Sequence, residues 1–111
     1  MTRATRLRRL EQVTELLRDS GLAELQRAAA KRDALLARRA ALTPGPVEAD
    51  GPAPLRAAAL HEQWCMRERA RINGELAVAT AEWMRCRDAA ARAVGRAQAV
   101  HNLSRKLSQG R

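Results

Sequence analysis

His61 and Cys65 stand four residues apart, one turn of a helix, and an imidazole with a thiolate at that spacing can present two ligands to a metal ion. Nothing completes the set. The chain has no Cys-x-x-Cys and no His-Glu-x-x-His, and its other histidine and cysteine, His101 and Cys86, lie far along the sequence. Read instead as a nucleophile with its base, the same pair requires a pocket that excludes water and seats a substrate. Carboxylates occur in pairs but nothing predicts a cleft for them, and the six glycines are scattered, without a phosphate-cradling run. The expectation is a protein that is not an enzyme, with no metal and no cofactor.

The elements that position these residues follow from composition. Of 111 residues, 46% are hydrophobic but only 2% aromatic: two Trp, no Phe, no Tyr. Alanine supplies most of the apolar count and leucine most of the rest, so the buried surface must be a narrow stripe. No window approaches the ~18 unbroken apolar residues of a membrane span, and no apolar run follows the basic start of the chain, which argues against a secretory signal. All four prolines lie between Thr43 and Pro54, with two of the glycines. Proline lacks the amide donor and restricts the residue before it, so this stretch predicts a loop over 43–54. Either Pro52 or Pro54 suits the first turn of the helix that follows.

On each side the sequence is rich in Ala, Leu, Arg and Glu, all good helix formers. These segments predict helices over about 3–42 and 54–107. In the second, alternate steps of four and three give Cys65, Arg69, Ile72, Leu76, Ala79, Trp83, Cys86, Ala90, Ala93, Ala97, Val100, Ser104 and Leu107, nearly all apolar, which is the period of a coiled coil. In the first, Leu7, Leu10, Thr14, Leu17 and Gly21 keep the step, and the pattern then slips by one residue to Leu25, Ala28, Arg32, Leu35, Arg39 and Leu42. Leu17 and Leu22 around Gly21 also resemble a helix C-terminus, so a kink is expected there. Neither stripe can be buried alone. The predicted fold is all-α, two long helices forming an antiparallel coiled-coil hairpin over 1–111. A loop centred near residue 48 sets Leu25 across from Ile72, Leu17 from Ala79 or Thr80, Thr14 from Trp83, and Leu7 from Ala90. The second helix would then project at the open end by about a dozen residues. Cys65 and Cys86, on one helix roughly 30 Å apart, are too distant for a disulfide, which suggests reduced thiols in the cytoplasm.

Lys plus Arg number 21 against 12 Asp plus Glu, a net charge of +9. Nearly all the cations are Arg, a skew that a GC-rich genome also produces. The charge is unevenly placed. Arg3, Arg6, Arg8 and Arg9 give the first ten residues +4; Arg85, Arg87, Arg92, Arg96, Arg105, Lys106 and Arg111 against Asp88 give residues 85–111 +6; the span between them is −1. A hairpin brings both basic blocks to one tip. That pole suits an acidic protein surface. It also suits nucleic acid through backbone contacts alone, less well because no aromatic accompanies the tip cations for base stacking. Of the tryptophans, Trp83 is expected to fill a seam layer, and Trp64 either to flank the seam near Leu35 or to anchor a contact on the outer face.

The segments Glu62-Gln63-Trp64 and Ala81-Glu82-Trp83, with the basic, Ala-rich run from Arg85 to Leu107, resemble the stalk proteins of type III export machinery: the flagellar FliJ family and the YscO-type proteins of injectisomes. The resemblance covers most of the chain in architecture. The chain is shorter than is usual for that family, and its loop is richer in proline. The resemblance implies a non-enzymatic stalk in the cytoplasm, peripheral to the inner-membrane export apparatus and reaching the membrane only through partners. It implies a tip of Arg3, Arg6, Arg8, Arg9, Arg92, Arg96, Arg105 and Lys106 in the pore of a hexameric export ATPase. It further implies a face around Trp64, Arg67, Arg71 and Ala79 toward the export gate protein, and the cycling of export chaperones. The expected seam is Leu7, Leu10, Leu17, Leu25, Ile72, Leu76, Trp83, Cys86 and Val100. The alternatives are a basic helical hairpin that binds nucleic acid nonspecifically and a generic coiled-coil adaptor or export chaperone, as a monomer or a dimer.

Overall fold

The computed structural model describes residues 2–42 and 51–110. Two helices account for almost all of them: α1, Arg3–Ala41, and α2, Pro52–Gln109. They form an antiparallel helical hairpin, as the proline gap and the two helix-forming segments require. Residues 43–50 of the predicted loop lie outside the described residues. The loop's last three residues, Pro52 to Pro54, are already the start of α2, which Gly51 leads into. Gly51 takes a left-handed φ of 104°, which suits a residue without a β-carbon, and its carbonyl accepts the first helical bond from the Leu55 amide at 3.4 Å. Pro52 therefore opens the helix, where a missing amide donor costs nothing. At the other start, Thr2 Oγ1 accepts from the Thr5 amide at 3.2 Å and caps α1.

The chain divides into two compact units, Met1–Ala29 with Glu82–Arg111, and Ala30–Ala81. In the first, His101 meets Glu11, and Gly21 lies against Ala90 and Ala93. In the second, Arg39 donates to Asn73 and Arg69 to the Leu42 carbonyl. Facing residue numbers add to about 112 in each unit (Glu11 with His101, Arg39 with Asn73). That register corrects the expected one, which assumed a symmetric turn. Ile72, placed by that assumption across from Leu25, packs instead with Leu35 and Ala79, with Leu42 and Leu76 against them. Leu7 shares a groove with Leu103 and Leu107, not with Ala90, so α2 does not project there. The same register sets Thr14 near Ala97 and Gln98, and brings Trp83 to the level of Ala28 and Ala29. The surplus of α2 is at its start: Leu42 already meets Arg69, and most of α2 before Cys65 is exposed.

The seam of α2 follows its predicted positions from Cys65 to Ser104, each buried or half-buried; Leu107 alone is exposed. In α1 the seam is Leu7, Glu11, Thr14, Arg18, Gly21, Leu25, Ala28, Arg32, Leu35, Arg39 and Leu42, all buried or half-buried, in one unbroken four–three step. There is no slip, and α1 continues as helix through Gly21. Two expected seam residues are thereby corrected. Leu10 and Leu17 are exposed, and Glu11 and Arg18 take their layers. The reason is space. A β-carbon on Gly21 would lie 3.5 Å from Ala90 Cα, so the backbones approach closely there. The facing layers of α2 are alanines, Ala90, Ala93 and Ala97, all buried. Such thin layers take the stems of Glu and Arg with their polar ends outward more readily than a pair of leucines. Leu7, Leu25, Leu76, Trp83, Cys86 and Val100 occupy seam positions at intermediate burial, and Ile72 is 2% exposed.

Candidate interaction surface

The basic residues of both ends converge in the first unit because α1 begins beside the end of α2. Arg3, Arg8 and Lys106 line one groove with Leu7 and Leu107. Of the eight cations expected at the tip, Arg3, Arg6, Arg8, Arg9, Arg105 and Lys106 cluster at this end of the unit. Arg92 and Arg96 lie further along α2: fourteen residues separate Arg92 from Lys106, roughly 21 Å of helix. Among the described residues none of the eight forms an ion pair. Those of this unit join Arg18 to Asp19 at 3.2 Å and Arg87 to Asp88 at 3.5 Å, and His101 Nδ1 lies within hydrogen-bonding distance of Glu11 Oε1 at 3.1 Å. Glu11, the seam carboxylate nearest the pole, is thus already engaged.

The second unit contrasts with this. Arg71 bridges Glu68 at 2.6 Å and Glu75 at 3.6 Å, and Arg38 reaches Glu75 at 3.9 Å across the hairpin. The hydrogen bond from Arg71, supported by the nearby charges of Arg71 and Arg38 against some desolvation, holds the Glu68 carboxyl below its ordinary range. The same bond from the other side raises Arg71. Here cations and anions satisfy one another. The pole cations form no such pair among the described residues.

Of the face predicted to meet a membrane-gate partner, Trp64, Arg67 and Arg71 follow at steps of three and four along α2 and are exposed together. Ala79 does not join them. It is 2% exposed in the core with Leu35 and Ile72, so it cannot touch a partner. Its seam step of seven from Ile72 is the signal that places it inward. Trp64 stacks on His61, ring centroids 6.0 Å apart at 23°. It is on the outer face, not shielding Leu35. His61 Nε2 lies 3.5 Å from the buried Cys65 Sγ. No group of three or more potential metal ligands occurs among the described residues, so the pair remains two ligands only. Trp83 keeps its seam position and carries the Arg87 guanidinium 5.1 Å above its ring, a cation–π contact.

Sequence reasoning missed one surface. Leu10 and Leu17, assigned to the seam, stand exposed with Val13 between them, and Leu103 and Leu107 are exposed on α2 in the same unit. The signal was present: Leu10, Val13 and Leu17 keep the three–four step one residue before the seam. No helix of the described residues is long and apolar enough to cross a membrane. Compared with known proteins, the chain matches no family model, no curated protein and no solved structure.

Proposed function

We propose that the protein is a non-enzymatic stalk of a type III export apparatus, whose termini-bearing pole enters the ring of the export ATPase. One observation carries the reading: the cations Arg3, Arg6, Arg8, Arg9, Arg105 and Lys106 gather at one end of a two-helix hairpin without an anion to pair with among the described residues. Desolvating so many cations is costly unless an acidic surface receives them. The sequence likeness to the stalk family supplies the identity of that acidic surface, the pore of the ATPase hexamer. On this reading the exposed Trp64–Arg67–Arg71 face meets the export gate protein, the chain acts in the cytoplasm beside the inner membrane, and export chaperones are further partners.

The test is binding to, and stimulation of, a cognate export ATPase. Reversal of three tip charges, Arg6→Glu, Arg9→Glu and Arg105→Glu, is expected to abolish both, and circular dichroism should show the helices intact because all three side chains are exposed. Binding that survives the triple reversal overturns the tip assignment. Binding of RNA or inorganic polyanions at the same pole, with no binding to the ATPase, overturns the export reading.

A further inference from the structure

Helix α1 carries two stripes. One is the seam. The other is Arg3, Arg6, Leu10, Val13 and Leu17, spaced by three and four residues and set one position before Glu11, Thr14 and Arg18, hence about 100° around the helix. Leu10, Val13 and Leu17 are 48%, 50% and 51% exposed. Leu10 also lines a groove of about 380 Å³ with Leu7, Leu103 and Leu107, rimmed by Arg3 and Arg6. The leucines are thus not scattered singly. Leu10, Val13 and Leu17 form a stripe on α1 that meets the inter-helix groove at Leu10, with Arg3 and Arg6 at its end, neither of which is ion-paired among the described residues.

We propose that this face docks an amphipathic α-helix of another protein, with an apolar ridge seated in the groove and Asp or Glu side chains over Arg3 and Arg6. The spacing fits a third helix, since exposed apolar residues at i, i+3 and i+7 line one helix face, against which a second apolar helical stripe can pack. Charge selects the partner: the rim is cationic, so an acidic helix is complementary where a second copy, itself +9, brings mostly repulsion. Shape selects against a bilayer, because a groove between helices takes a ridge and not a plane. The proposal does not rest on the export reading. It shares Arg3 and Arg6 with the pole but turns on Leu10, Val13 and Leu17, which the export reading does not use.

The experiment uses the full chain and two labelled synthetic peptides of about 18 residues, long enough to form helix. One has Leu at i, i+3, i+4 and i+7 flanked by Glu; the other has the same composition scrambled. Fluorescence anisotropy in roughly 150 mM salt, where bare surface charge is screened, reads the affinities. The striped peptide is expected to bind about tenfold or more tightly than the scrambled one. The double variant Leu10→Gln, Leu17→Gln should erase that difference while its helicity stays unchanged, and Arg3→Glu with Arg6→Glu should weaken both peptides. Equal affinities for the two peptides would show that charge alone acts and would overturn the proposal. So would a striped-peptide affinity that the leucine variants leave unchanged, or sedimentation showing a dimer that those variants dissolve.

Discussion

Gly21 of α1 lies so close to α2 that a β-carbon added to it would come 3.5 Å from Ala90 Cα and 3.7 Å from Ala93 Cβ. That contact is ordinary for a methyl group and leaves nothing for more. Gly21→Ala is expected to stabilise by about 0.5–1 kcal/mol, through helix propensity, while Gly21→Leu, which must part the helices, costs about 1–3 kcal/mol. Gly74 and Gly95, with no atom within 4 Å of an added β-carbon, provide the control: each Gly→Ala change there should stabilise by about as much as at Gly21. Urea midpoints of the four variants decide it. A Leu at 21 as stable as Ala would mean the helices are not in close approach.

The hairpin seam and the outer stripe of α1 both carry large aliphatic side chains but differ in energy. Ile72 is nearly inaccessible in the cluster with Leu35 and Ala79, so Ile72→Ala is expected to lose about 2–4 kcal/mol. Leu17→Ala removes an exposed side chain and should change stability by less than about 0.5 kcal/mol. Chemical denaturation of both variants checks the seam assignment directly. Comparable losses would return Leu17 to the core.

The contrast explains what was legible in the sequence. The α2 seam could be read because almost every position from Cys65 onward is apolar, so only one phase fits. The gathering of basic residues at one pole followed from fold-back alone and did not depend on register. The α1 phase could not be read the same way. Leu10 and Leu17 outscore Glu11 and Arg18 on any hydrophobic count, yet the close approach at Gly21 and the alanines at 90, 93 and 97 favour the charged residues' stems. Register was equally hidden, because loop length bounds it loosely. The long-range pairs Arg39–Asn73, Arg69–Leu42 carbonyl and Glu11–His101 mark it, and no local pattern announces them.

The Glu68–Arg71 bridge makes a pH prediction with a definite sign. Its hydrogen bond holds the Glu68 carboxyl below its ordinary range, so the folded state binds fewer protons there than the unfolded state in mildly acidic solution. The contribution is fully present above the unfolded value and fades as pH falls through the lowered folded one. Melting temperatures of the wild type and Glu68→Gln should differ by a constant small amount between neutral pH and about pH 5, and converge in more acidic solution. The exposure of the pair keeps the gap small. A gap that stays the same down to pH 2 contradicts the bridge as its source.

The start of α2 should be the least protected helix in the molecule. Leu42 meets Arg69, and before the buried Cys65 the early turns find no α1 seam to pack on among the described residues; Leu55, Leu60 and Trp64 are all exposed. A helical segment stabilised by propensity and a proline-led first turn, without tertiary burial, opens locally at little cost. Amide hydrogen exchange is expected to be fast from Leu55 to about Gln63 and slow from Ile72 to Val100, where the buried seam residues lie. Trp64 sits at the junction, and its amide should report the change. A partner that covers the Trp64–Arg67–Arg71 face would slow exchange in the early turns without altering the later ones, which separates docking on this face from a general tightening of the hairpin. Uniform protection along α2 in the isolated protein would mean that the early turns are packed, and the register that leaves them bare would be wrong.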